Sequence, residues 1–435
     1  MNHTIEAETQ QNDKSSAEGA PSRLFSGRAL SGKAQKNKAG GTKIGILDHT
    51  GPSLGGAQLV AGYLAAVLSR SYQVDLIGEW KKFGVEKIAS AFSLDLSRVR
   101  QRCFANTSAG FGVPGEYGLL RQFKRSRDLT EPYDLFIYSG QGAPPLCRAQ
   151  HGLVYCHFPI EASPDVEAKE NPTWRQRTSL DQWLRSNAYQ FVWRARMRSY
   201  DLILANSSFT AGWIKRRWGM HAEIVYPPVD LPVPCASKEN LIVSVGRFDG
   251  VNGRKGHLAQ VQAFRQFVTS EETWKLCLVG SCFGPEDQAT VDSLRQAAGG
   301  LPVEFAVNAE RSTVSSLLAK AKIFWHTAGL YHDEQEKPYK AEHFGIATVE
   351  AMRAGCTPIV IASGGQSEII QQGVNGVLCK DLGDLVETTK SMARNDDVLA
   401  AFGERARQRS AAFTGSAFER NIREIISRCL EIGHN

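Results

Sequence analysis

The stretch KIGILDHTGPSLGGAQLVAGYLAAVLSRS at residues 43–71 decides the fold class. Its first six residues form a short apolar run that ends in a polar turn, which is typical of a buried strand. After the glycine-rich turn, apolar side chains recur at helical spacing at Leu59, Tyr63, Leu64 and Leu68. The order of strand, glycine loop and helix predicts the beginning of a parallel α/β unit.

The same strand pattern recurs along the chain, with helical stretches between many of its copies. In the first half it occurs in YQVDLIG (72–78), YDLFIYS (133–139), GLVYCHF (152–158), DLILANS (201–207) and EIVYPPVD (223–230). In the second half it occurs in NLIVSVGRF (240–248), KLCLVGS (275–281), VEFAVN (303–308), AKIFWHT (321–327) and TPIVIA (357–362). Strands that alternate with helices predict mostly parallel sheets.

The segment PPVDLPVPCASKE at 227–239 separates the two series of strands, and its four prolines predict an extended connection. We therefore expect two doubly wound, Rossmann-like domains that face each other across a cleft. The predicted parts are a disordered tail (1–41), a first domain (42–230), a linker (231–239), a second domain (240–412) and a C-terminal helix (413–435). The last helix has one apolar face, which we expect to pack back on the first domain.

The composition narrows the class of protein. The 435 residues are 42% hydrophobic and 22% charged, as in folded globular proteins, and the net charge of +6 is too small to predict a nucleic-acid binder. The sequence has no apolar run long enough to span a bilayer, and its first residues lack a secretory signal. Its nine cysteines form no CxxC pair. We therefore expect a cytoplasmic protein with free thiols.

The loops after the predicted strands carry candidate ligand-binding residues, because open parallel sheets bind ligands beyond the carboxyl ends of their strands. Arg247 and Lys255 follow the strand at 240–248 and could bind a diphosphate, although a solvated basic loop is the alternative. Glu342 and Glu350 flank a glycine turn at the predicted start of a helix, where backbone N–H groups can bind phosphate. A chance pair of glutamates is the alternative there.

Taken together, these stretches resemble the retaining glycosyltransferases of family 4, whose GT-B fold binds a nucleotide sugar on its second domain. The motifs occur in family order in GPSLGGAQ (51–58), YCHFP (155–159), LILANSSFTAGWI (202–214), VYPPVD (225–230), VGR followed by KG (245–256), EHFGIATVEAMRAGCTPIV (342–360) and SGGQSEII (363–370). The resemblance covers nearly everything after residue 42, and it implies a hexosyltransferase with the GT-B fold.

The resemblance also implies roles for residues of the second domain. Arg247 and Lys255 are expected to neutralise the donor diphosphate and the charge that develops on it as the glycosidic bond breaks. Glu350 is expected to bind the ribose. Glu342 is expected to lie beside the donor sugar and to be catalytic.

Further residues acquire roles in the same way. Gly345 and Ile346 are expected to offer backbone N–H groups to the phosphates, and Gly55 and Gly56 to form the facing loop of the first domain. His157 is expected to approach the reacting sugar from the first domain as a second catalytic residue. The resemblance implies no metal ion and no cofactor besides the nucleotide-sugar substrate.

Two loops depart from the commonest family pattern. Seven residues separate Arg247 from Lys255, so Arg254 competes with Lys255 for the second phosphate role, and we favour Lys255. The loop at 328–341 is longer than usual. Four of its side chains permit a metal site as the alternative to a mobile solvated loop, namely His332, Asp333, Glu334 and Glu336. We favour the solvated loop.

The pairing of YCHFP with EHFGI is most similar to mannosyltransferases of lipid-linked oligosaccharide assembly, which suggests GDP-mannose as donor and leaves UDP-sugars open. The expected acceptor is a hydroxyl of a glycan, a lipid-linked glycan or a small molecule. Aromatics alternate with arginines at 174–199, which fits either a peripheral membrane contact at the cytosolic face or a helix packed by its aromatics. The functional alternatives are a sugar-nucleotide epimerase of the same fold and a noncatalytic nucleotide-sugar binder.

Overall fold

A computed structural model describes residues 41–49, 54–78, 84–103, 119–163, 180–250, 253–268 and 273–431. The predicted tail lies outside these residues except for Gly41. Residues 51–53 of the first glycine motif and residues 174–179 of the arginine-rich stretch also lie outside them. The described residues form two parallel sheets, one in each half of the chain.

The first sheet has the spatial order β3-β2-β1-β4-β5-β6-β7, and neighbouring strands are parallel throughout its described part. Its strands are β1 (Lys43–His49), β2 (Gln73–Gly78), β3 (Val99–Cys103), β4 (Leu135–Gly140), β5 (His151–Cys156), β6 (Leu202–Ala205) and β7 (Glu223–Ile224). The central strands β4 and β5 are buried along their whole length, as expected for a parallel sheet covered on both faces.

The helices of the first half connect these strands. They are α1 (Gly56–Ser69), α2 (Val85–Phe92), α3 (Leu119–Thr130), α4 (Leu180–Met197) and α5 (Ser208–Trp218). Helix α1 is buried on nearly all sides because it lies between the sheet, α2 and the C-terminal helix of the chain. This position explains why α1 is almost entirely apolar or small in sequence.

The second sheet has the order β10-β9-β8-β11-β12-β13. Its strands are β8 (Glu239–Val245), β9 (Lys275–Gly280), β10 (Val303–Val307), β11 (Ala321–His326), β12 (Thr357–Ile361) and β13 (Val377–Cys379). The helices after β8 are α6 (His257–Phe267), α7 (Pro285–Ala298), α8 (Arg311–Lys320), α9 (Ile346–Arg353), α10 (Gln366–Ile369), α11 (Leu382–Ala393), α12 (Asp396–Ser410) and α13 (Gly415–Glu431). Short 3-10 turns occur at Pro338–Lys340 and Ala411–Phe413.

Both sheets reverse their strand order at one place. In the first sheet β1 lies between β2 and β4, and in the second β8 lies between β9 and β11. At such a switch point the connections leave in opposite directions and open a crevice beyond the carboxyl ends of the strands. The fold therefore provides one ligand crevice on each domain.

The C-terminal helix α13 returns to the first domain. Its apolar residues Phe418, Ile422 and Ile426 are buried in the same cluster as Leu64 of α1. Ion pairs of 2.9 Å between Arg70 and Glu419 and of 2.7 Å between Arg428 and Glu223 flank this contact. Because both ion pairs are partly exposed, the apolar contact contributes most of the stabilisation.

The predicted alternation of buried strands and helices is confirmed, and three strands differ from the expectation. Strands β3 and β13 were not predicted, and β7 is two residues long instead of part of an eight-residue strand. Strand β3 is an edge strand whose sequence VRQRC is largely exposed, so it lacks the apolar run that marks buried strands. Strands β7 and β13 also lie at sheet edges, and both are short.

The described part of the arginine-rich stretch packs on the first domain through its aromatics. Tyr189 and Trp193 of α4 are buried, and Arg194 and Arg198 are exposed. Phe191 remains 70% exposed on the same helix. Among the helices of the described residues, none combines the length and the apolar character needed to cross a bilayer.

The packing of α13 can be tested at Ile422, which is fully buried. We expect Ile422→Ala to reduce the free energy of unfolding by roughly 2–5 kcal/mol, because it removes buried methyl groups and leaves a cavity. Urea unfolding followed by circular dichroism measures the loss, with Asn421→Ala on the exposed side of α13 as the matched control. Equal urea midpoints for the two variants would contradict the packing of α13 on the first domain.

Candidate active site

A cleft of about 1190 Å³ lies between the two domains, at the carboxyl ends of both sheets. The structure brings all of the predicted site residues to this cleft. Those from the first domain are Gly55, Gly56 and His157, and those from the second are Arg247, Lys255, Glu342, Gly345, Ile346 and Glu350. Residues that are far apart in sequence thus face one common space.

Lys255, Glu342 and His326 form a cluster on the second-domain side of the cleft. Lys255 Nζ lies 2.6 Å from Glu342 Oε2, and His326 Nε2 lies 3.1 Å from the same oxygen. The Glu342 side chain is only 12% exposed. A buried carboxylate needs partners of this kind, since removal of its charge compensation costs several kcal/mol.

The cluster fixes the charge state of Glu342. Burial raises the pKa of its carboxyl group, but the Lys255 ammonium and the His326 hydrogen bond outweigh burial and hold this pKa well below its usual range. Burial, assisted by the nearby charge of Lys255, lowers the pKa of His326. At neutral pH the cluster therefore contains a carboxylate, an ammonium group and a neutral imidazole.

The turn that carries Glu342 is held by the SGG segment at 363–365. The N–H of Gly365 donates to the carbonyl of Glu342 over 2.7 Å. Gly345 has a φ of +120°, which only glycine adopts readily, and it directly precedes α9. Gly345 and Ile346 line the cleft at the N-terminus of α9, where the first backbone N–H groups have no partner within the helix and can bind an anion.

Glu350 is buried one turn into α9 and pairs with Arg311 at the start of α8. The Arg311 guanidinium donates to Glu350 Oε1 over 2.6 Å, and the Glu350 side chain is 4% exposed. Arg311 also lies over the Phe92 ring of the first domain, 5.7 Å from its centroid. The sequence analysis missed Arg311, although its position directly after β10 is another loop beyond the carboxyl end of a strand.

The first-domain glycine loop approaches α9 closely. A Cβ atom at Gly56 would lie 2.5 Å from the Cδ1 atom of Ile346, so a larger residue there would displace the end of the Ile346 side chain. The glycine at position 56 therefore allows this close contact. It closes the cleft on the side of the predicted phosphate-binding turn.

The three basic residues of the β8 loop differ in their contacts. Lys255 is paired with Glu342, and Arg254 donates to the carbonyl of Ala341 over 2.5 Å. Arg247 is exposed, and its side chain forms no hydrogen bond or ion pair with the residues that the structure describes. Both Arg254 and Lys255 line the cleft, so the choice of Lys255 for the second phosphate stays a prediction.

His157 enters the cleft from the end of β5. Its Nε2 atom is 2.9 Å from Ser139 Oγ, and its carbonyl accepts from the Asn206 amide over 2.9 Å. Burial lowers the pKa of His157 to about 4, so the ring is neutral at physiological pH. A neutral imidazole at this position can exchange hydrogen bonds with a ligand without adding charge.

Contacts between the domains support the site. The Ser207 hydroxyl donates to the carbonyl of His343 over 2.6 Å, and the N–H groups of Ser208 and Phe209 donate to Glu368 over 2.8 and 2.9 Å. The His343 ring also stacks on Phe158, with 4.0 Å between the ring centroids. The sequence analysis assigned no role to Glu368, although it lies in the SGGQSEII motif.

The long loop at 328–341 uses its acidic residues in local structure. Asp333 Oδ1 accepts from the N–H of Gln335 over 2.7 Å, and Glu334 Oε1 accepts from the N–H of Gly364 over 2.5 Å. In the described ranges, no group of three or more His, Cys, Asp or Glu residues has the arrangement of a metal site.

Comparison with known proteins finds a family model and relatives that match part of this chain. Residues 233–409 match the family model described as glycosyl transferases group 1. The human GDP-Man:Man(3)GlcNAc(2)-PP-Dol alpha-1,2-mannosyltransferase is 32% identical over 211 residues, which are 43% of this chain and 40% of the human protein. The Dictyostelium discoideum protein of the same name is 22% identical over 306 residues, which are 62% of this chain and 58% of that protein. The chain thus matches only about half of the length of these relatives.

Solved structures show the fold over most of the chain. Anabaena HepE in complex with UDP and glucose has a TM-score of 0.63 at 18% identity and covers 89% of this chain and 99% of its own. The lipopolysaccharide glycosyltransferase WaaG has a TM-score of 0.61 at 16% identity, with 88% and 99% covered. The two-domain architecture is therefore the predicted GT-B fold. Within it, residues 233–409, most of the second domain, are similar to the glycosyl transferases group 1 model.

The buried histidines of the cleft predict a loss of stability in mild acid. The pKa of His157 is lowered to about 4 by burial, and burial also lowers the pKa of His343 well below its usual value of about 6.5. The unfolded chain therefore binds these protons more readily than the folded chain. The two histidines contribute their full stabilisation above about pH 6.5. As the pH falls toward 4, the free energy of unfolding decreases by about 1.4 kcal/mol per pH unit for each such histidine.

Urea unfolding at pH 7.5, 6 and 5 measures this effect, and we expect His157→Gln to flatten the decline. The same substitution at the exposed His221 controls for the loss of an imidazole. The depressed pKa of Glu342 acts in a lower window, since its contribution is lost only as the pH falls below about 4.5. An unchanged slope in His157→Gln would show that the burial of His157 does not set the acid sensitivity.

Proposed function

We propose that this chain is a retaining, metal-independent hexosyltransferase of glycosyltransferase family 4, with GDP-mannose as donor and a lipid-linked glycan as acceptor. The observation that carries the proposal is the Lys255–Glu342 ion pair of 2.6 Å, set beside the open N-terminus of α9 in a cleft between two domains. Such a site can hold an anionic diphosphate next to a fixed carboxylate.

The donor diphosphate is proposed to lie between the N-terminus of α9 and the cations of the β8 loop. Arg247 has no side-chain partner in the described part of the chain and is free to bind a phosphate oxygen. Gly345 and Ile346, at the N-terminus of α9, line the same cleft. Positive charge fixed in this way stabilises the negative charge that develops on the leaving diphosphate.

The donor sugar is proposed to lie between the domains, with Glu342 on its second-domain side and His157 on its first-domain side. Glu342 is ionised, so it can stabilise positive charge on the reacting sugar carbon. His157 is neutral and can hold a sugar hydroxyl without repelling that charge. Glu350 keeps one oxygen on Arg311 and offers the other to the ribose hydroxyls.

The relatives suggest the donor and the acceptor. Their name specifies GDP-mannose and a dolichyl-diphosphate oligosaccharide, which favours these two substrate classes. The HepE complex with UDP and glucose keeps UDP-sugars as the second donor class to be tested. A lipid-linked acceptor requires access to a membrane surface, and the exposed Phe191 and Arg194 of α4 are the proposed peripheral contact at the cytosolic face.

The test of this function is transfer from GDP-, UDP- and ADP-sugars to a lipid-linked oligosaccharide, followed by product analysis. We expect transfer from GDP-mannose with retention of the anomeric configuration. Donor isomerisation without an acceptor would favour a sugar-nucleotide epimerase, and donor binding without turnover would favour a noncatalytic binder.

Within that assay, Arg247→Ala should lower kcat/KM for the donor about ten- to a hundredfold, because a charged hydrogen bond contributes roughly 1.5–3 kcal/mol. The exposed Arg394 lies outside the cleft lining, so Arg394→Ala is the matched control for loss of an arginine. Wild-type kcat/KM in Arg247→Ala would contradict the placement of the diphosphate.

Excess EDTA should leave the rate of transfer unchanged within error. The proposed site neutralises the diphosphate with Arg247, Lys255 and a helix N-terminus, so a divalent ion is not required for charge compensation. Initial rates with and without EDTA measure this. A rate abolished by EDTA and restored by Mg²⁺ or Mn²⁺ would refute metal independence and return attention to His332 and Asp333.

A further inference from the structure

His326 is a buried residue that has no role in the mechanism proposed above. It ends β11 at the switch point of the second sheet and is 2% exposed. The backbone N–H of Ala328 donates to its Nδ1 atom over 3.3 Å, and Nε2 lies 3.4 Å from Lys255 Nζ and closer, at 3.1 Å, to a Glu342 carboxylate oxygen that can only accept. These contacts assign the ring proton to Nε2. That Nε2–H is therefore directed to Glu342 Oε2, 3.1 Å away.

Glu342 has a second donor in Lys255, but the diphosphate of the proposed donor competes for that ammonium group. Lys255 Nζ donates a hydrogen bond to Glu342 Oε2 over 2.6 Å, and Lys255 lines the same cleft as the N-terminus of α9. When a phosphate oxygen draws Lys255 away, the neutral imidazole remains with the carboxylate. Because the imidazole is neutral, a phosphate oxygen does not attract it away from the carboxylate as it attracts the ammonium group.

We propose that His326 is a positioning residue for glycosyl transfer, which holds the Glu342 carboxylate in place while Lys255 engages the donor diphosphate. This inference rests on the proposed function. The charged and titratable groups that face His326 are Lys255, Glu342 and Arg254, and the same cations face Glu342. Loss of the His326 donor should therefore make Glu342 easier to protonate.

Two substitutions at His326 separate the hydrogen bond from the volume of the side chain. His326→Leu fills the space without a donor, and His326→Gln offers an amide N–H near the position of Nε2. We expect His326→Leu to lower kcat about tenfold or more, with a small change in donor KM, and to move the acid limb of the kcat profile to higher pH. His326→Gln should restore kcat to within a few-fold of wild type.

His151→Leu is the matched control, because His151 is also buried but begins β5 at the opposite end of the first sheet. Its pH profile of kcat should equal that of the wild type. A wild-type kcat and acid limb in His326→Leu would overturn the inference. Equal losses in His326→Leu and His326→Gln, with an unmoved acid limb, would also overturn it and assign His326 to packing alone.

A measurement without turnover separates this inference from the proposed function. In histidine-labelled protein, nitrogen chemical shifts should report His326 as a neutral ring with its proton on Nε2 at pH 7, and Glu342→Gln should shift the Nε2 resonance. A proton on Nδ1, or a cationic ring, would overturn the inference even if neither His326 variant folds. Failure of the wild-type chain to transfer any sugar would instead contradict the proposed function.

Discussion

A carboxylate with little access to water lies in the cleft at Glu342, and its charge has to be compensated from within the protein. The compensation comes from Lys255, in the loop after β8, and from His326, the last residue of β11. These strands are neighbours only because the sheet reverses its order between them. A charge of this kind is strongly destabilising without its partners, and the parallel topology is what brings those partners to it.

The backbone position of Glu342 is set by contacts of the turn that carries it. The carbonyl of Glu342 accepts from Gly365, and the carbonyl of Ala341 accepts from Arg254. Gly345 then turns the chain into α9 in a conformation that other residues adopt with strain. The turn fixes the backbone of Glu342, and the contacts with Lys255 and His326 orient its carboxylate, as electrostatic stabilisation of a transition state requires.

The sequence predicted the features that depend on local pattern, and it missed those that depend on tertiary contacts. Buried strands such as β4 and β5 carry uninterrupted apolar runs, whereas the exposed edge strand β3 has no such signal. Glu342 and Glu350 were found because a glycine turn and a helix start lie between them. Arg311 and His326 were missed, because their partners are 39 and 16 residues away and no spacing rule connects them.

The contacts that build the turn also join the two domains, and this links the carboxylate to the first-domain side of the cleft. His343, next to Glu342, gives its carbonyl to Ser207 and stacks its ring on Phe158, both of which belong to the first domain. At the far end of the turn, Gly56 lies against Ile346. A rotation of one domain against the other therefore pulls on both ends of the segment that carries Glu342. The backbone around Glu342 is thus held by the first domain through Ser207 and by the second domain through Gly365.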